Sequence, residues 1–381
     1  MPNPIYQNIS SFLVMDILER ACALERQGAN VIHLQIGEPD FDTPEPVKEA
    51  AVKAIRDGHT HYTHSLGLPA LREAICSWYD KTYGVKADPN RVIVTSGTSP
   101  AMLLTFSALV HKGDTVVLAD PHYACYPNFV TYAGGQVRRA RTLPEDGFQF
   151  TPETLAPAVQ DAPRAVVVNS PSNPTGTIMP AAHLKAICAM GPTVVSDEIY
   201  HGLEYGGERS SCALEFTDDC FVLNGFSKLW AMTGWRLGWV VAPERYVAAM
   251  QRLQQNFFIS AGSVAQWAGI AALDECDEDV ARMVKEYARR RLVLIEGLAK
   301  LGLKAPVEPK GAFYVLVDAR HISRDSLALA RDILEKAHVG VTPGIDFGPG
   351  AEGYLRFSYA NSVENIEEGL HRLGRYLEAR G

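Results

Sequence analysis

The sequence lacks the features of a secreted, membrane-spanning or nucleic-acid-binding protein. Its beginning, MPNPIYQNISSFLVMDILER, does not join a basic start to a long apolar stretch, and no window approaches the roughly 20 apolar residues of a membrane span. It contains no basic run, and 44 acidic against 36 basic residues give a net charge of −8. We therefore expect a cytoplasmic protein that binds neither nucleic acid nor anionic membranes.

Motifs for metals and nucleotides are also missing. The seven cysteines form no CxxC pair and no close cluster with histidine, so we expect reduced thiols and no metal site. No GxGxxG follows a strand-like run, and no GxxxxGK[ST] occurs. Neither a dinucleotide nor a nucleoside triphosphate is therefore indicated.

The sequence does contain short apolar runs that alternate with helical periodicity. Helix-like stretches such as SPAMLLTFSALVHKG and PAAHLKAICAMG separate some of these runs. The pattern predicts an α/β fold with a largely parallel sheet covered by helices on both faces. The predicted strands are RVIVTSG (91–97), DTVVLADP (114–121), RAVVVNSP (164–171), PTVVSDEIY (192–200), CFVLNGFSK (220–228) and LGWVVA (237–242).

The character of the sequence changes near residue 275. A long charged helical stretch is followed by three strand-like segments, GAFYVLVD, VGVTPGIDFG and YLRFSYA, and by a final helix. We predict a large domain over 46–280 and a smaller α+β domain over 281–381. The N-terminal segment, 1–45, is predicted to pack with the small domain.

Two cations near the end of one predicted strand have no acid beside them. In NGFSKLWAMTGWRLGW (224–239), apolar neighbours of Lys228 would lower the pKa of its amine and make it a nucleophile suited to Schiff-base chemistry, although most lysines are solvated surface residues. Arg236 could stack on the flanking tryptophans or bind a phosphate or carboxylate. A buried anionic ligand would account for both charges.

Other predicted strands also end in polar residues, where ligands bind in such sheets. VTSGTSPAM (94–102) could be an anion-binding helix start or an ordinary N-cap, and NSPSNPTG (169–176) could be a binding loop or only a turn. Asp197 lies at the tip of a buried strand, where an unpaired carboxylate is costly. A cationic partner such as a pyridinium N–H would offset that cost.

These motifs together resemble class I pyridoxal 5′-phosphate (PLP) dependent aminotransferases of fold type I, the aspartate aminotransferase superfamily. The resemblance covers nearly the whole chain. It implies a large domain with a mostly parallel seven-stranded sheet, a smaller α+β domain and a homodimer with shared active sites. The motifs are GEPDFDTP, HYTHSLGLPALREAI, SGTSPA, DPHYACYP, NSPSNPTG, SDEIYHGLEYG, FSKLWAMTGWRLGW, PKGAFY and YLRFSYA.

The resemblance implies roles for individual residues around the cofactor. Lys228 corresponds to the lysine that binds PLP as a Schiff base and moves protons. Asp197 would keep the pyridine nitrogen protonated, which makes the ring an electron sink. The further implied contacts are Gly97, Thr98, Ser227 and Arg236 at the phosphate, Tyr62 at the neighbouring subunit's phosphate, Asn173 and Tyr200 at the ring oxygen, and Tyr123 on the ring face.

The resemblance also bears on the substrate. Arg356 would bind the α-carboxylate as a bidentate clamp, with Asn173 beside it and Gly37 allowing the backbone to approach. Gly225 departs from the pattern, since some relatives have a serine there that contacts the phosphate. No second arginine or lysine is identified for a distal carboxylate, so an aromatic, aliphatic or sulfur-containing L-amino acid is expected rather than a dicarboxylic one.

Three alternatives share parts of this pattern. PLP-dependent carbon–sulfur β-lyases have the same fold but often carry His where this chain has Tyr200, and PHNP where it has PSNP. A cyclopropane-forming synthase also uses the fold. A non-catalytic PLP-binding regulator would need an attached DNA-binding domain, and the sequence has no basic N-terminal helix-turn-helix segment.

Overall fold

The computed structural model describes residues 7–380. The first six residues of the predicted N-terminal segment and Gly381 of the predicted small domain lie outside this range. The helices are α1 (Leu13–Arg26), α2 (Glu45–Arg56), α3 (Pro69–Tyr83), α4 (Thr98–Leu109), α5 (Tyr126–Tyr132), α6 (Pro152–Val159), α7 (Ala181–Cys188), α8 (Glu244–Phe257), α9 (Ser263–Glu275), α10 (Asp277–Lys300), α11 (Ser326–Ala337) and α12 (Val363–Glu378). The strands are β1 (Ile32–His33), β2 (Val92–Thr95), β3 (Thr115–Asp120), β4 (Gln136–Arg141), β5 (Ala165–Asn169), β6 (Thr193–Asp197), β7 (Cys220–Gly225), β8 (Gly238–Val241), β9 (Tyr314–Asp318), β10 (Val339–Gly340), β11 (Thr342–Pro343) and β12 (Tyr354–Ser358).

The main sheet has seven strands in the order β2-β8-β7-β6-β5-β3-β4. Strand β8 is antiparallel to both of its neighbours, and the other pairs are parallel. The predicted α/β fold with a mostly parallel seven-stranded sheet is confirmed. Because β3, β5, β6 and β7 run in the same direction, their carboxyl ends lie along one edge.

The strands are apolar along their whole length because both faces of the sheet are buried. In β2, Val92 and Val94 belong to one core cluster, whereas Ile93 belongs to the cluster on the other face. In β7, Val222 and Phe221 divide between the two clusters in the same way. Burial on both faces explains why the sequence shows apolar runs rather than alternation.

Strand β4 was not among the predicted strands. Its sequence, QVRRAR, carries three arginines, and most of its side chains are exposed or only partly buried. It lies at the edge of the sheet and pairs with β3 alone, so its side chains can reach water. A charged edge strand also discourages pairing with another sheet.

The later part of the chain forms a smaller sheet in the order β11-β12-β9. GAFYVLVD contains β9 and YLRFSYA contains β12, as predicted. The middle segment, VGVTPGIDFG, divides into two short strands and a 3₁₀ turn at Gly344–Phe347. Strand β11 pairs with β12, whereas β10 pairs in parallel with β1 from the N-terminal segment.

The division into a large and a small domain stays a prediction. The pairing of β1 with β10 supports the grouping of the N-terminal segment with the smaller sheet. The predicted boundary between residues 280 and 281 falls inside α10, so one continuous helix would join the two parts. Across residues 7–380, no helix combines the length and apolar character needed to cross a membrane.

Candidate active site

A cavity of about 470 Å³ lies at the carboxyl edge of the main sheet. The tips of β5, β6 and β7, the start of α4 and the beginning of α1 contribute to its wall. All but two of the predicted site residues line it: Gly37, Thr98, Tyr123, Asn173, Asp197, Tyr200, Ser227, Lys228, Arg236 and Arg356. The fold therefore brings side chains from distant parts of the sequence into one space.

Lys228 follows β7 and points its amine toward the N-terminal segment. Its Nζ donates a hydrogen bond to the carbonyl oxygen of Gly37 at 2.7 Å. Loss of hydration lowers the pKa of Lys228 to about 8; the attraction of Glu38 opposes the shift, and repulsion by Arg356 and Arg236 adds to it. The neutral, nucleophilic form of the amine therefore becomes available near pH 8, well below the ordinary range of a lysine.

Asp197 ends β6 and is buried against the floor of the cavity. Burial raises its pKa to about 6, while hydrogen bonds from the Tyr126 hydroxyl, at 2.6 Å, and the Ile199 amide, at 3.3 Å, favour the charged form. Among the residues that the structure describes, it forms no ion pair. A cationic N–H donor from a ligand would complete its surroundings.

Arg356 in β12 is held in the cavity wall by neutral groups. Its Nη1 donates to Asn173 Oδ1 at 2.8 Å, and its Nη2 donates to the Gln35 carbonyl at 2.6 Å and to Thr342 Oγ1 at 3.0 Å. The guanidinium also lies 4.2 Å from the centre of the Tyr314 ring. Its Nε has no hydrogen-bond partner, and no carboxylate of residues 7–380 pairs with the side chain. An anionic ligand would fit here.

The start of α4 provides a second place for an anion. Gly97 is the N-cap, with a φ of 96° that favours glycine, and it leaves the first amides of α4 free of a side-chain cap. The Nη2 of Arg236 lies 2.6 Å from the position that a Cβ on Gly97 would occupy. Thr98 and Ser227 also line the cavity. Helix amides, hydroxyls and a guanidinium suit a phosphate group.

A side chain at Gly225 would not fit beside this anion site. Gly225 pairs with Gly238 across β7 and β8, and a Cβ at 225 would lie 2.9 Å from the Gly238 Cα. A Cβ at Gly238 would in turn lie 3.0 Å from the Thr98 nitrogen. The two glycines therefore let the start of α4 approach the strands closely, where a serine hydroxyl at 225 would require the backbone to move.

Two tyrosines complete the site although sequence analysis gave them no role. Tyr126 donates to Asp197, and it lies three residues after Tyr123 in DPHYACYP. Tyr314, in PKGAFY, has its hydroxyl 2.8 Å from that of Tyr200. A Cβ on Gly37 would lie 2.0 Å from the Tyr314 oxygen, so only glycine allows this approach. Both tyrosines lie within motifs of the sequence, but the motifs did not predict their hydrogen bonds with Asp197 and Tyr200.

Tyr62 lies apart from the cavity. It occupies the segment between α2 and α3, and 82% of its surface is exposed. Tyr62 and Gly97 are thus the two predicted site residues that do not line the cavity, but Gly97 lies against Arg236 at its edge. The described residues also contain no group of three His, Cys, Asp or Glu side chains able to hold a metal.

Comparisons with known proteins identify what this arrangement resembles. The family model described as aminotransferase class I and II matches residues 29–373. The chain is 42% identical to an aspartate/prephenate aminotransferase of Thermus thermophilus, with 94% of each chain covered. It is 40% identical to a (5-formylfuran-3-yl)methyl phosphate transaminase of Methanocaldococcus jannaschii, over 97% of this chain and 98% of the relative. A solved structure of Thermus thermophilus aspartate aminotransferase with maleate superposes with a TM-score of 0.94 at 40% identity, covering 98% of this chain and 99% of the other.

Proposed function

Because the chain belongs to the class I and II aminotransferases, and is thus a PLP-dependent aminotransferase, we propose which substrate it uses and how its residues act. The proposed donor is an L-amino acid with an aromatic, aliphatic or sulfur-containing side chain, and the acceptor is a 2-oxo acid. The observation that carries the substrate class is the distribution of charge in the cavity.

The cavity fits PLP because its free cations and its buried carboxylate complement the charges of the cofactor. Lys228 would bind the cofactor covalently, and Asp197 would hold the pyridine nitrogen protonated. When bound, PLP supplies an electron sink for the bond that breaks at the substrate Cα. The remaining contacts are proposed for Gly97, Thr98, Ser227 and Arg236 at the phosphate, Asn173 and Tyr200 at the ring oxygen, and Tyr123 on the ring face.

The substrate would be held at its carboxylate and oriented for proton transfer. Arg356 has a planar guanidinium whose protein partners are all neutral, which suits bidentate binding of an α-carboxylate. Lys228, whose amine has a pKa lowered to about 8, would accept the Cα proton at its Nζ and could release it again from the same atom. Holding both groups in one cavity replaces an encounter in solution with a fixed geometry.

The cations on the described cavity wall are all taken by these roles. They are Lys228, Arg236 and Arg356, and none remains for a second substrate carboxylate. Apolar side chains, among them Met15 and Ile36, form much of the remaining wall. This composition favours an apolar or aromatic substrate side chain over a dicarboxylic one.

A homodimer with shared active sites is supported by a group of exposed apolar side chains. Tyr62, Phe257 and Ile259 are 82%, 59% and 46% exposed. The segment of Tyr62 packs on the start of α9, where Ser263 Oγ donates to the His59 carbonyl at 2.8 Å. Such a surface suits burial against a second copy, which would bring Tyr62 to the partner's phosphate site.

A cytoplasmic location remains a proposal. All seven cysteines lie in the described range, and each is a free thiol. Free thiols are typical of reducing compartments. Fractionation of the native host would test it.

Adding single L-amino acids to the PLP-loaded enzyme, without an oxo acid, tests the function. Leucine, phenylalanine or methionine should give one 2-oxo acid per site and convert the bound cofactor to its amine form, as seen by absorption. Lys228→Ala should abolish this conversion and leave the fold intact by circular dichroism, whereas the exposed Lys185→Ala control should retain it. Preference for aspartate would contradict the proposed substrate class. Release of ammonia and pyruvate from a β-substituted donor such as cysteine would instead favour the β-lyase.

A further inference from the structure

The first turn of α1 is capped by a residue from the far end of the chain. Phe12, at the N-cap position, offers no side-chain acceptor to the helix. Instead, the Leu13 amide donates to Asp346 Oδ1 at 2.9 Å and the Val14 amide donates to Asp346 Oδ2 at 3.2 Å. Asp346 lies in the 3₁₀ turn after β11 and is only 9% exposed.

The turn capped in this way forms part of the active-site wall. Phe12, Val14, Met15 and Leu18 all line the cavity, so one face of α1 is directed at the site. The Phe12 ring also contacts the Tyr123 ring edge-on, with 6.0 Å between centroids. Any shift of the helix start would therefore move apolar side chains that line the cavity.

We propose that Asp346 is a positioning residue for substrate selection, which holds the start of α1 as the wall that receives the substrate side chain. This inference rests on the proposed function. Each of the two amide N–H groups needs an acceptor, and a carboxylate offers one oxygen to each. Its negative charge also lies at the positive end of the helix dipole. Burial raises the pKa of Asp346, and the two amides and the attraction of Arg356 oppose this rise.

The inference predicts an effect that depends on the size of the substrate side chain. Asp346→Ala leaves the buried Val14 amide and the part-buried Leu13 amide without acceptors, so α1 should loosen at its first turn. The KM for phenylalanine or leucine should rise by roughly fivefold to tenfold, as expected for a lost helix cap. Alanine presents almost no side chain to this wall, so its KM should change less than twofold. Asp346→Asn keeps one acceptor oxygen, so its KM for phenylalanine or leucine should lie between those of the parent and of Asp346→Ala.

A second contact of the same helix provides the matched control. Arg20 in α1 binds Glu335 in α11 through two hydrogen bonds, one of them 2.8 Å long, but both side chains are more than 40% exposed. Such surface pairs contribute little. Glu335→Gln should therefore leave KM unchanged for every donor.

Hydrogen exchange separates this inference from the proposed function, because it needs no substrate. The Leu13 and Val14 amides should exchange faster in Asp346→Ala than in the parent or in Glu335→Gln, with melting temperature and PLP content recorded for each variant. Faster exchange together with a KM rise confined to large donors supports the inference. Unchanged exchange, or an equal KM rise for alanine and phenylalanine, overturns it. If the parent enzyme preferred aspartate while exchange was still faster in Asp346→Ala, the proposed substrate class would be wrong. The capping of α1 by Asp346 would nevertheless be supported.

Discussion

At the residue scale, the chemistry of Lys228 is set by removal from water and by the charges around it. Glu38 favours its charged form, and Arg356 and Arg236 favour its neutral form. These opposing effects act on one amine in one cavity, so each can be changed separately. The amine can therefore report on the charge balance of the whole site.

We expect Lys228 of the PLP-free protein to become reactive near pH 8. Because its pKa is lowered to about 8, the neutral amine should appear on raising the pH through that value, well below the ordinary lysine value of about 10.4. Labelling with an amine-selective reagent, followed by mass spectrometry of the Lys228 peptide, measures the midpoint. A midpoint near the ordinary value would contradict the loss of hydration to which the lowered pKa of Lys228 is attributed.

Two variants should move this midpoint in opposite directions. Glu38→Gln removes an attraction, so the midpoint should fall. Arg356→Gln removes a repulsion, so the midpoint should rise. Shifts of the same sign would mean that the variants changed hydration rather than charge.

At the scale of elements, β7, β8 and the start of α4 depend on two facing glycines. Gly225→Ala would bring a Cβ within 2.9 Å of the Gly238 Cα and 3.0 Å of the Leu237 carbonyl oxygen. These contacts are backbone, which cannot turn away as a flexible side chain can. The strand pair and the helix would have to separate slightly.

We expect Gly225→Ala to reduce the free energy of unfolding by about 1–3 kcal/mol, the usual cost of overpacking. PLP affinity should also fall, since the displaced helix start carries Thr98. Thermal unfolding and PLP titration measure the two effects. Gly262→Ala is the control, because a Cβ there would meet nothing within 4 Å. Equal stability of both variants would show that the strands adapt.

Sequence patterns predicted elements better where burial leaves a simple signature. Apolar runs marked β5, β6 and β7, and the polar residues after them located Asp197 and Lys228 at the cavity. Strand β4 left no such mark, because an edge strand can be charged. The capping of α1 by Asp346 could not be predicted either. The two partners lie more than 300 positions apart, so the contact leaves no local pattern in the sequence.

At the scale of the whole molecule, the resemblance supplied what periodicity could not. The motifs predicted that Gly37 and Arg356 share one site, although 319 positions separate them in the sequence, and both line the cavity. The partners of Arg356, a carbonyl at Gln35 and a hydroxyl at Thr342, follow only from the packed structure. The role of Tyr62 cannot be read from one chain, because its proposed site belongs to a second subunit.

Mixed dimers test whether the active sites are shared. Tyr62→Ala should weaken PLP binding, and Lys228→Ala should abolish turnover. If Tyr62 serves the partner, a dimer of one chain of each variant has one intact site, so mixing after dissociation should restore tight PLP binding and activity. Activity in the mixture equal to the sum of the two separate variants would show that Tyr62 acts within its own chain or not at all.

The pairing of β1 with β10 also bears on how the chain folds during synthesis. Ile32 lies opposite Val339, so the N-terminal segment cannot complete its sheet until most of the chain has left the ribosome. The strands of the main sheet lie within residues 92–241 and can associate earlier. Meanwhile the apolar face of α1, with Ile17 and Leu24, lacks the elements it finally packs against. Such exposed surface favours aggregation of nascent chains, so early chaperone binding to this segment is expected.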